Sequence, residues 1–401
     1  MNKTIRHILL LMLLPLLLGC TADSSVGEGA TVAPQAISFG VYTSHAATRA
    51  DSTIFAESGI PGGASIGVYC YYHDNTTWSS TATPNFMFNQ EVVNNGVEGY
   101  TYSPVKYWPN ENSDKLSFIA YYPHVASGTA YGITPLFTNV STGLPSFEFT
   151  VDNDVSKQVD FLVSDFLPNL PNGTDAVSPS SASDREELRI IDHVKFKFYH
   201  MTSKIEFRIV VDDKIKDDLA YFTIKSLKLT NIYNSGKVTP VYPAETENSA
   251  LDTPKESTTS FQWAGHSDSY TAKTDYNCKT DEAYLLLPQT LRDDAKLTIT
   301  YDLAFKSNGT TYKYNSGTPI STDVYVYNDH TEEVQLNTLK LKSTNPGTGE
   351  ETQSPFTRWE TNHHYVYTIR LDANPIGFTG QVVAWGEELP WPVNVENLVV
   401  N

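Results

Sequence analysis

The stretch H-V-K-F-K-F-Y-H, residues His193–His200, carries the clearest two-residue alternation in the chain. Apolar residues would lie on one face of an extended segment and mostly polar ones on the other, namely Val194, Phe196 and Phe198 against Lys195, Lys197 and Tyr199. This is the period of a β-strand with one buried face. A strand is therefore predicted over these residues.

Similar alternation recurs on both sides of this stretch. A change of parity between Phe222–Ile224 and Leu227–Leu229 predicts a β-bulge near Lys225-Ser226. No segment has a long helical period, so many short strands predict an all-β chain of sandwiches or barrels. Further strand candidates include Ser65–Tyr72, Leu116–Tyr122, Ile205–Ile209, Val334–Leu341 and Tyr365–Leu371.

The length of 401 residues predicts two domains, because a single core rarely grows so large. Pro168–Asp184 is rich in Pro and Ser, has no apolar alternation, and is the best candidate for their boundary. We therefore predict an N-terminal β-sandwich over residues 36–184, a C-terminal one over 185–386, and a tail over 387–401.

The N-terminus has the pattern of an export signal. Lys3 and Arg6 precede the apolar run Ile8–Leu18, which is too short for a membrane-spanning helix of about 20 residues. The run ends in L-L-G-C, which resembles a bacterial lipobox. We predict a lipoprotein signal peptide over 1–20, a lipid on Cys20 that anchors the chain to the outer membrane, and a flexible tether over 21–35. A simple signal peptide with a chance cysteine is the alternative.

Composition and motifs argue against several classes of protein. A formal net charge of −18 does not suit binding of nucleic acid, which needs a basic face. No nucleophile elbow, zinc-like ligand spacing or phosphate-binding glycine loop is present, so we predict no enzyme activity, metal or cofactor. Cys70 lies within an apolar run and is predicted to be a buried free thiol rather than half of a bridge to Cys278.

The stretch A-I-S-F-G-V-Y-T-S-H-A-A-T-R-A, residues 36–50, suggests a removable strand. Ile37, Phe39 and Val41 alternate with small or polar residues, and Arg49-Ala50 follows among small residues that suit an exposed, cleavable loop. Our hypothesis is that a protease cuts after Arg49, that this strand leaves, and that another subunit's strand takes its place. An ordinary first strand followed by an ordinary loop fits the same residues.

The C-terminal tail supplies a candidate for the donated strand. Its apolar residues Trp391, Val393, Val395 and Val399 share one parity, as a strand that fills an apolar groove requires. A last strand of its own domain, or a frayed end, is the alternative.

Stretches along nearly the whole mature chain resemble the fimbrillins, the pilin and pilus-associated lipoproteins of Bacteroidales. The resemblance is carried by T-R-A (48–50), I-G-V-Y (66–69), Y-S-P-V-K-Y-W-P (102–109), L-S-F-I-A-Y-Y-P (116–123), F-Y-H-M-T-S-K-I (198–205), L-L-L-P-Q (285–289), R-W (358–359) through Y-V-Y (365–367) and V-A-W (383–385). It departs from the family pattern at Thr361–His364, where a Gly-Lys pair is usual.

This resemblance implies two tandem transthyretin-like Greek-key sandwiches, export as a lipoprotein, cleavage at the position of Arg49 and assembly with other pilus subunits by strand donation. The expected location is the outer membrane and then a surface pilus, with host or bacterial surface ligands as further partners. The alternative function is a monomeric surface lipoprotein that binds glycans. For that function the candidate aromatic platform is Tyr69, Tyr71, Trp78, Tyr107 and Trp108, which would otherwise fill the second face of sandwich strands.

Overall fold

The computed structural model describes residues 35–43, 60–111, 113–171, 194–213, 219–242, 259–264, 273–280, 282–306, 318–321, 324–344, 351–371 and 377–383. Regular structure in these ranges is almost entirely β, apart from short 3-10 helices at Gly96–Glu98, Val155–Lys157 and Leu336–Thr338. No helix in the described part of the chain has the length and apolar character needed to cross a membrane.

Ten strands end at or before residue 200, and thirteen follow within the described ranges. The first group is β1 (Phe39–Thr43), β2 (Ser65–His73), β3 (Met87–Asn94), β4 (Tyr100–Thr101), β5 (Lys115–Tyr122), β6 (Ile133–Pro135), β7 (Phe147–Thr150), β8 (Leu162–Ser164), β9 (Leu167–Pro171) and β10 (Val194–His200). The second is β11 (Ser203–Val211), β12 (Leu219–Tyr233), β13 (Ser235–Val241), β14 (Ser260–Ala264), β15 (Lys273–Cys278), β16 (Ala283–Leu286), β17 (Lys296–Lys306), β18 (Thr318–Ser321), β19 (Val324–Gln335), β20 (Lys340–Thr344), β21 (Glu351–Pro355), β22 (His364–Leu371) and β23 (Gly377–Val383).

The first sandwich is built from two sheets. An eight-stranded sheet runs β1-β10-β8-β5-β2-β3-β4, with β9 also paired to β5, and a four-stranded sheet runs β14-β13-β7-β6. The two sheets face each other through Tyr121 of β5 and Phe147 of β7, whose ring centroids lie 4.8 Å apart.

The second sandwich is built from a six-stranded sheet, β16-β11-β22-β23-β20-β21, and a five-stranded sheet, β15-β12-β17-β19-β18. Its strand β11 begins three residues after β10 ends, so residues 194–211 run almost continuously from one sheet into the other. The chain is thus all-β and built from sandwiches, as predicted.

Two apolar clusters stabilise these sheets. The main core lies between the sheets of both sandwiches. The second, which we call the β1 cluster, covers the opposite face of the eight-stranded sheet and includes Ile37, Phe39, Val68, Cys70, Phe118 and Phe196. Because both faces of this sheet are covered, β2 and β5 are buried along almost their whole length.

Several sequence predictions of single elements are confirmed. Strands occupy the predicted stretches around residues 65–72, 116–122 and 193–200, and the register of β12 against β17 shifts between Ile224 and Ser226 where a bulge was predicted. Cys70 and Cys278 are both buried and free.

Pairings also cross the boundary predicted at residue 184. β10 joins the first sheet beside β1 and β8, and β13 pairs with β7. The predicted boundary segment itself begins with strand β9, which pairs with β5. Alternation identifies a strand but not its partner, so these pairings were not visible in the sequence. Where the chain divides into independent domains stays a prediction.

Candidate functional site: the first strand and its slot

The first strand forms one end of the eight-stranded sheet. β1 runs parallel to β10, with Phe39 opposite Val194 and Val41 opposite Phe196. The Val194 N–H donates to the Ser38 carbonyl at 2.8 Å. Among the described strands, none pairs with the other edge of β1. The strand is therefore attached to its sheet on one side.

The residues just before β1 are held from the opposite side by an irregular segment. Ala36 forms an antiparallel bridge with Tyr107. The Ile37 N–H donates to the Lys106 carbonyl and the Trp108 N–H to the Gln35 carbonyl, both at 2.9 Å. We call the space between β10 and residues 102–108 the β1 slot. A short extended segment occupies it through backbone hydrogen bonds on both sides.

The floor of the β1 slot is aromatic. The Phe39 ring stacks on Phe196 at 5.7 Å between centroids and an interplanar angle of 14°. It also contacts Tyr102 at 5.3 Å and meets Phe118 edge-on at 6.1 Å. Ile37 and Phe39 are 2% and 5% exposed, and Val41 is half-buried against the same cluster. Ile37 and Phe39 together stabilise the occupied slot by about 3–6 kcal/mol before ordering costs.

Charge plays little part in the slot. Residues 35–43 include no charged side chain, and the Lys106 ammonium lies over the Phe86 ring at 5.5 Å. Burial raises the pKa of the Cys70 thiol and of the Tyr102 hydroxyl, so both stay protonated and neutral near pH 7. The contacts that hold the occupant of the slot are therefore apolar packing and backbone hydrogen bonds.

The predicted site residues fall into two groups. The structure brings Ile37, Phe39 and Val41 together in the β1 slot, which confirms a strand with one buried face. The lipidation, cleavage and donor-strand predictions concern residues outside the described ranges, namely Cys20, Arg49, Ala50, Trp391, Val393, Val395 and Val399.

One wall of the slot was missed as a functional element. Tyr102, Lys106 and Trp108 hold the start of β1, yet their segment lacks alternation and contains a proline, Pro104. The only signal was a cluster of aromatic residues in a short loop, which does not identify the strand it contacts.

The proposed aromatic platform is not assembled at the surface. Tyr69, Tyr71 and Trp108 are 1%, 0% and 5% exposed, and the Trp78 ring packs on Phe166 at 4.6 Å. The interpretation that these side chains fill sandwich faces is confirmed for these four residues, whereas Tyr107 is half-exposed. Among the described residues, no group of three or more His, Cys, Asp or Glu side chains has the arrangement of a metal site.

Comparisons with known proteins agree with this architecture. A family model described as fimbrillin-like matches residues 48–385. Fimbrium subunit Fim1C of Phocaeicola vulgatus is 24% identical over 431 aligned positions, covering 98% of this chain and 99% of that protein. The crystal structure of a fimbrial protein from Bacteroides vulgatus has the same fold, with a TM-score of 0.52 at 19% identity over 88% of this chain and 99% of that one. Because the family model matches most of its length, this chain belongs to the fimbrillin-like family.

Proposed function

We propose that the protein is a structural or adhesive subunit of a cell-surface pilus. It is exported as a lipoprotein, anchored to the outer membrane through Cys20, and assembled by strand exchange after cleavage between Arg49 and Ala50. The observation that carries this proposal is the position of β1, which closes an apolar slot at the end of a sheet. Membership of the fimbrillin-like family supports it.

The chain before and after Arg49 suits a removable strand. β1 ends at Thr43, six positions before Arg49, so cleavage there leaves β1 attached to the protein by noncovalent contacts alone. The family model starts at residue 48 and ends at 385, so both β1 and the candidate donor tail lie outside the matched span.

An emptied slot would need a new occupant. Loss of β1 exposes the aromatic floor around Phe118 and Phe196 and unpaired backbone groups of β10 and residues 106–108. Exposed strand edges and apolar patches of this kind favour pairing with another chain. A donated strand restores the hydrogen bonds and the apolar burial together. The proposed donor is the tail of another subunit, through Trp391, Val393, Val395 and Val399.

Limited proteolysis tests this function. Trypsin at low dose on the chain from Thr21 onward should cut first after Arg49, and a ladder of oligomers should follow on gels run without boiling. Arg49→Gln should abolish both the cut and the ladder. Arg292→Gln, at an exposed arginine elsewhere, is the matched control and should change neither.

The two buried thiols give a second measurement of β1 removal. Cys70 is fully buried in the β1 cluster, whereas Cys278 lies in the main core. Departure of β1 should make Cys70 reactive toward a thiol reagent and leave Cys278 protected. Cleavage without gain of a reactive thiol would contradict the removal step.

The competing function gives different results. A monomeric glycan-binding lipoprotein would form no ladder after cleavage and would be retarded in a polysaccharide affinity gel. That pair of results would replace the pilus proposal.

A further inference from the structure

The Tyr102 hydroxyl contacts the backbone of the occupied slot directly. It donates to the Ile37 carbonyl at 2.8 Å and lies 3.3 Å from both the N–H and the carbonyl oxygen of Lys106. The ring of the same residue packs against Phe39 at 5.3 Å. Tyr102 therefore touches both the main chain and a buried side chain of the segment that fills the slot.

The hydroxyl takes the place of one rung in the antiparallel ladder. Residues directly opposite in a hydrogen-bonded antiparallel pair exchange both N–H···O bonds. Here the Ile37 N–H donates to the Lys106 carbonyl directly, at 2.9 Å. The reciprocal bond is relayed, because the Lys106 N–H donates to the Tyr102 oxygen and the Tyr102 O–H donates to the Ile37 carbonyl. The ladder thus continues through a side chain at the point where β1 turns toward β10.

We propose that Tyr102 is a latch that retains whichever strand occupies the β1 slot, first β1 and then the strand that replaces it. The retention of β1 is inferred from the contacts of Tyr102 with Ile37 and Phe39. The extension to a replacing strand rests on the proposed function. The acceptor of the latch is a backbone carbonyl, which every residue offers. The latch therefore holds an extended strand by its position in the slot and not by the identity of its side chains.

The surroundings of Tyr102 keep this latch in its donating form. Burial raises the pKa of the hydroxyl, so the proton that it donates stays in place at neutral and mildly alkaline pH. The nearby Tyr100 has no such role, because its hydroxyl has no hydrogen-bond partner among the described residues although its ring packs against the same cluster.

Amide hydrogen exchange on the intact, uncleaved chain tests the latch. Tyr102→Phe keeps the ring and removes the hydroxyl, and Tyr100→Phe is the matched control. A typical net hydrogen-bond contribution predicts that the Ile37 and Val194 amides exchange about threefold to tenfold faster in Tyr102→Phe. The Ile119 amide of β5 should keep its rate, and Tyr100→Phe should change none of the three. Unchanged rates in Tyr102→Phe, or equal acceleration of Ile119, would overturn the latch.

A peptide of residues 387–401, the proposed donor tail, tests the latch on an incoming strand. Added to cleaved protein from which β1 has left, it should bind about threefold to tenfold more weakly to Tyr102→Phe than to the parent or to Tyr100→Phe. Equal affinity for all three would restrict the latch to β1 itself and overturn its extension. If cleavage never releases β1, the proposed function fails. The exchange experiment on the uncleaved chain still tests whether Tyr102 retains β1.

Discussion

Residues 194–211 accept a parallel partner strand twice, and the two partners are held very differently. β1 lies along β10 in the first sheet, and β22 lies along β11 in the second. In each pair an aromatic ring of the partner stacks on a phenylalanine of this stretch. Phe39 lies 5.7 Å from Phe196 at 14°, and Tyr367 lies 5.6 Å from Phe207 at 20°.

The difference lies in what surrounds each partner. β22 pairs with β11 on one side and β23 on the other, and its register with β11 runs from Lys204 to Val211. It also carries His364, whose Nε2 lies 3.2 Å from a carboxylate oxygen of Glu206 on β11. β1 has a shorter register with β10, no described strand on its other edge, and no charged residue.

Both partners bury an aromatic ring, but only β22 has a described strand on each side. Phe39 of β1 and Tyr367 of β22 are 5% and 1% exposed, so apolar burial alone does not distinguish the two partners. A central strand loses hydrogen bonds on two sides when it leaves, whereas residues 39–43 of an edge strand lose them on one. We therefore expect a parallel partner that is terminal, uncharged and unflanked to detach more easily than a flanked one.

The largest expected effect is that of Tyr367→Ala in β22. The variant removes a 1%-exposed ring that stacks on Phe207 and whose hydroxyl accepts a 2.8 Å hydrogen bond from Trp359 Nε1. We expect the free energy of unfolding to fall by about 3–5 kcal/mol, measured by urea denaturation. Tyr367→Phe should cost about 1–3 kcal/mol, because it leaves only the Trp359 N–H without its acceptor. A loss no larger than that measured for Phe39→Ala in β1 would contradict the firmer attachment of β22.

Phe39→Ala in β1 should have a smaller effect on global unfolding. It removes a ring that is 5% exposed. If β1 detaches while the sandwich stays folded, as we propose, the cost is capped by the free energy that holds β1 in the slot. We expect a fall of about 1.5–3 kcal/mol in the free energy of unfolding. In hydrogen exchange the Val194 amide, bonded to Ser38, should lose protection while the Ile119 amide keeps it.

A joint loss of protection at Val194 and Ile119 in Phe39→Ala would contradict independent detachment of β1. It would mean that β1 unfolds only with the whole sandwich. The proposed removal of β1 after cleavage would then lack its structural basis.

Periodicity predicted much of this architecture but not the partners of its strands. The alternation at Ile37, Phe39 and Val41 predicted a strand with one buried face, and a change of parity predicted the bulge after Ile224. Both patterns depend on where neighbouring side chains point, which is a local property. Resemblance to the fimbrillins added the family, which the comparisons confirm.

The partners depend on contacts between distant parts of the chain. β10 was grouped with the second domain, although it forms one wall of the slot in the first sheet. Residues 106–108 belong to the other wall and show no repeating sequence pattern. Their contacts are a few backbone hydrogen bonds and the buried ring of Trp108, and such contacts do not require a repeating pattern. The sequence therefore predicted the strand that occupies the β1 slot but not the residues that form its walls.

The smallest expected effect concerns the charged link between β11 and β22. Burial alone would raise the pKa of the Glu206 carboxyl, but hydrogen bonds and charge attraction from His364 and Lys204 outweigh it and hold the pKa at about 2. Relative to an ordinary value of about 4.5, this shift corresponds to at most roughly 3 kcal/mol. Because the carboxylate side chain is 21% exposed, we expect Glu206→Gln to cost about 1–2 kcal/mol at pH 7.

The sign of the pH dependence follows from a pKa that is lower in the folded chain than in the unfolded one. The contribution of Glu206 is complete above about pH 4.5 and is lost as the pH falls toward 2, so the parent and Glu206→Gln should converge in stability over that range. Glu333→Gln, which breaks an exposed ion pair with Lys296, is the control and should change stability little at pH 7.

The Val194 amide should keep its protection against hydrogen exchange in Glu206→Gln, since the β1–β10 pairing contains no charge on the β1 side. If Glu206→Gln also loosened β1, the two parallel pairings would be coupled along residues 194–211, and a removable strand could not be independent of the permanent one.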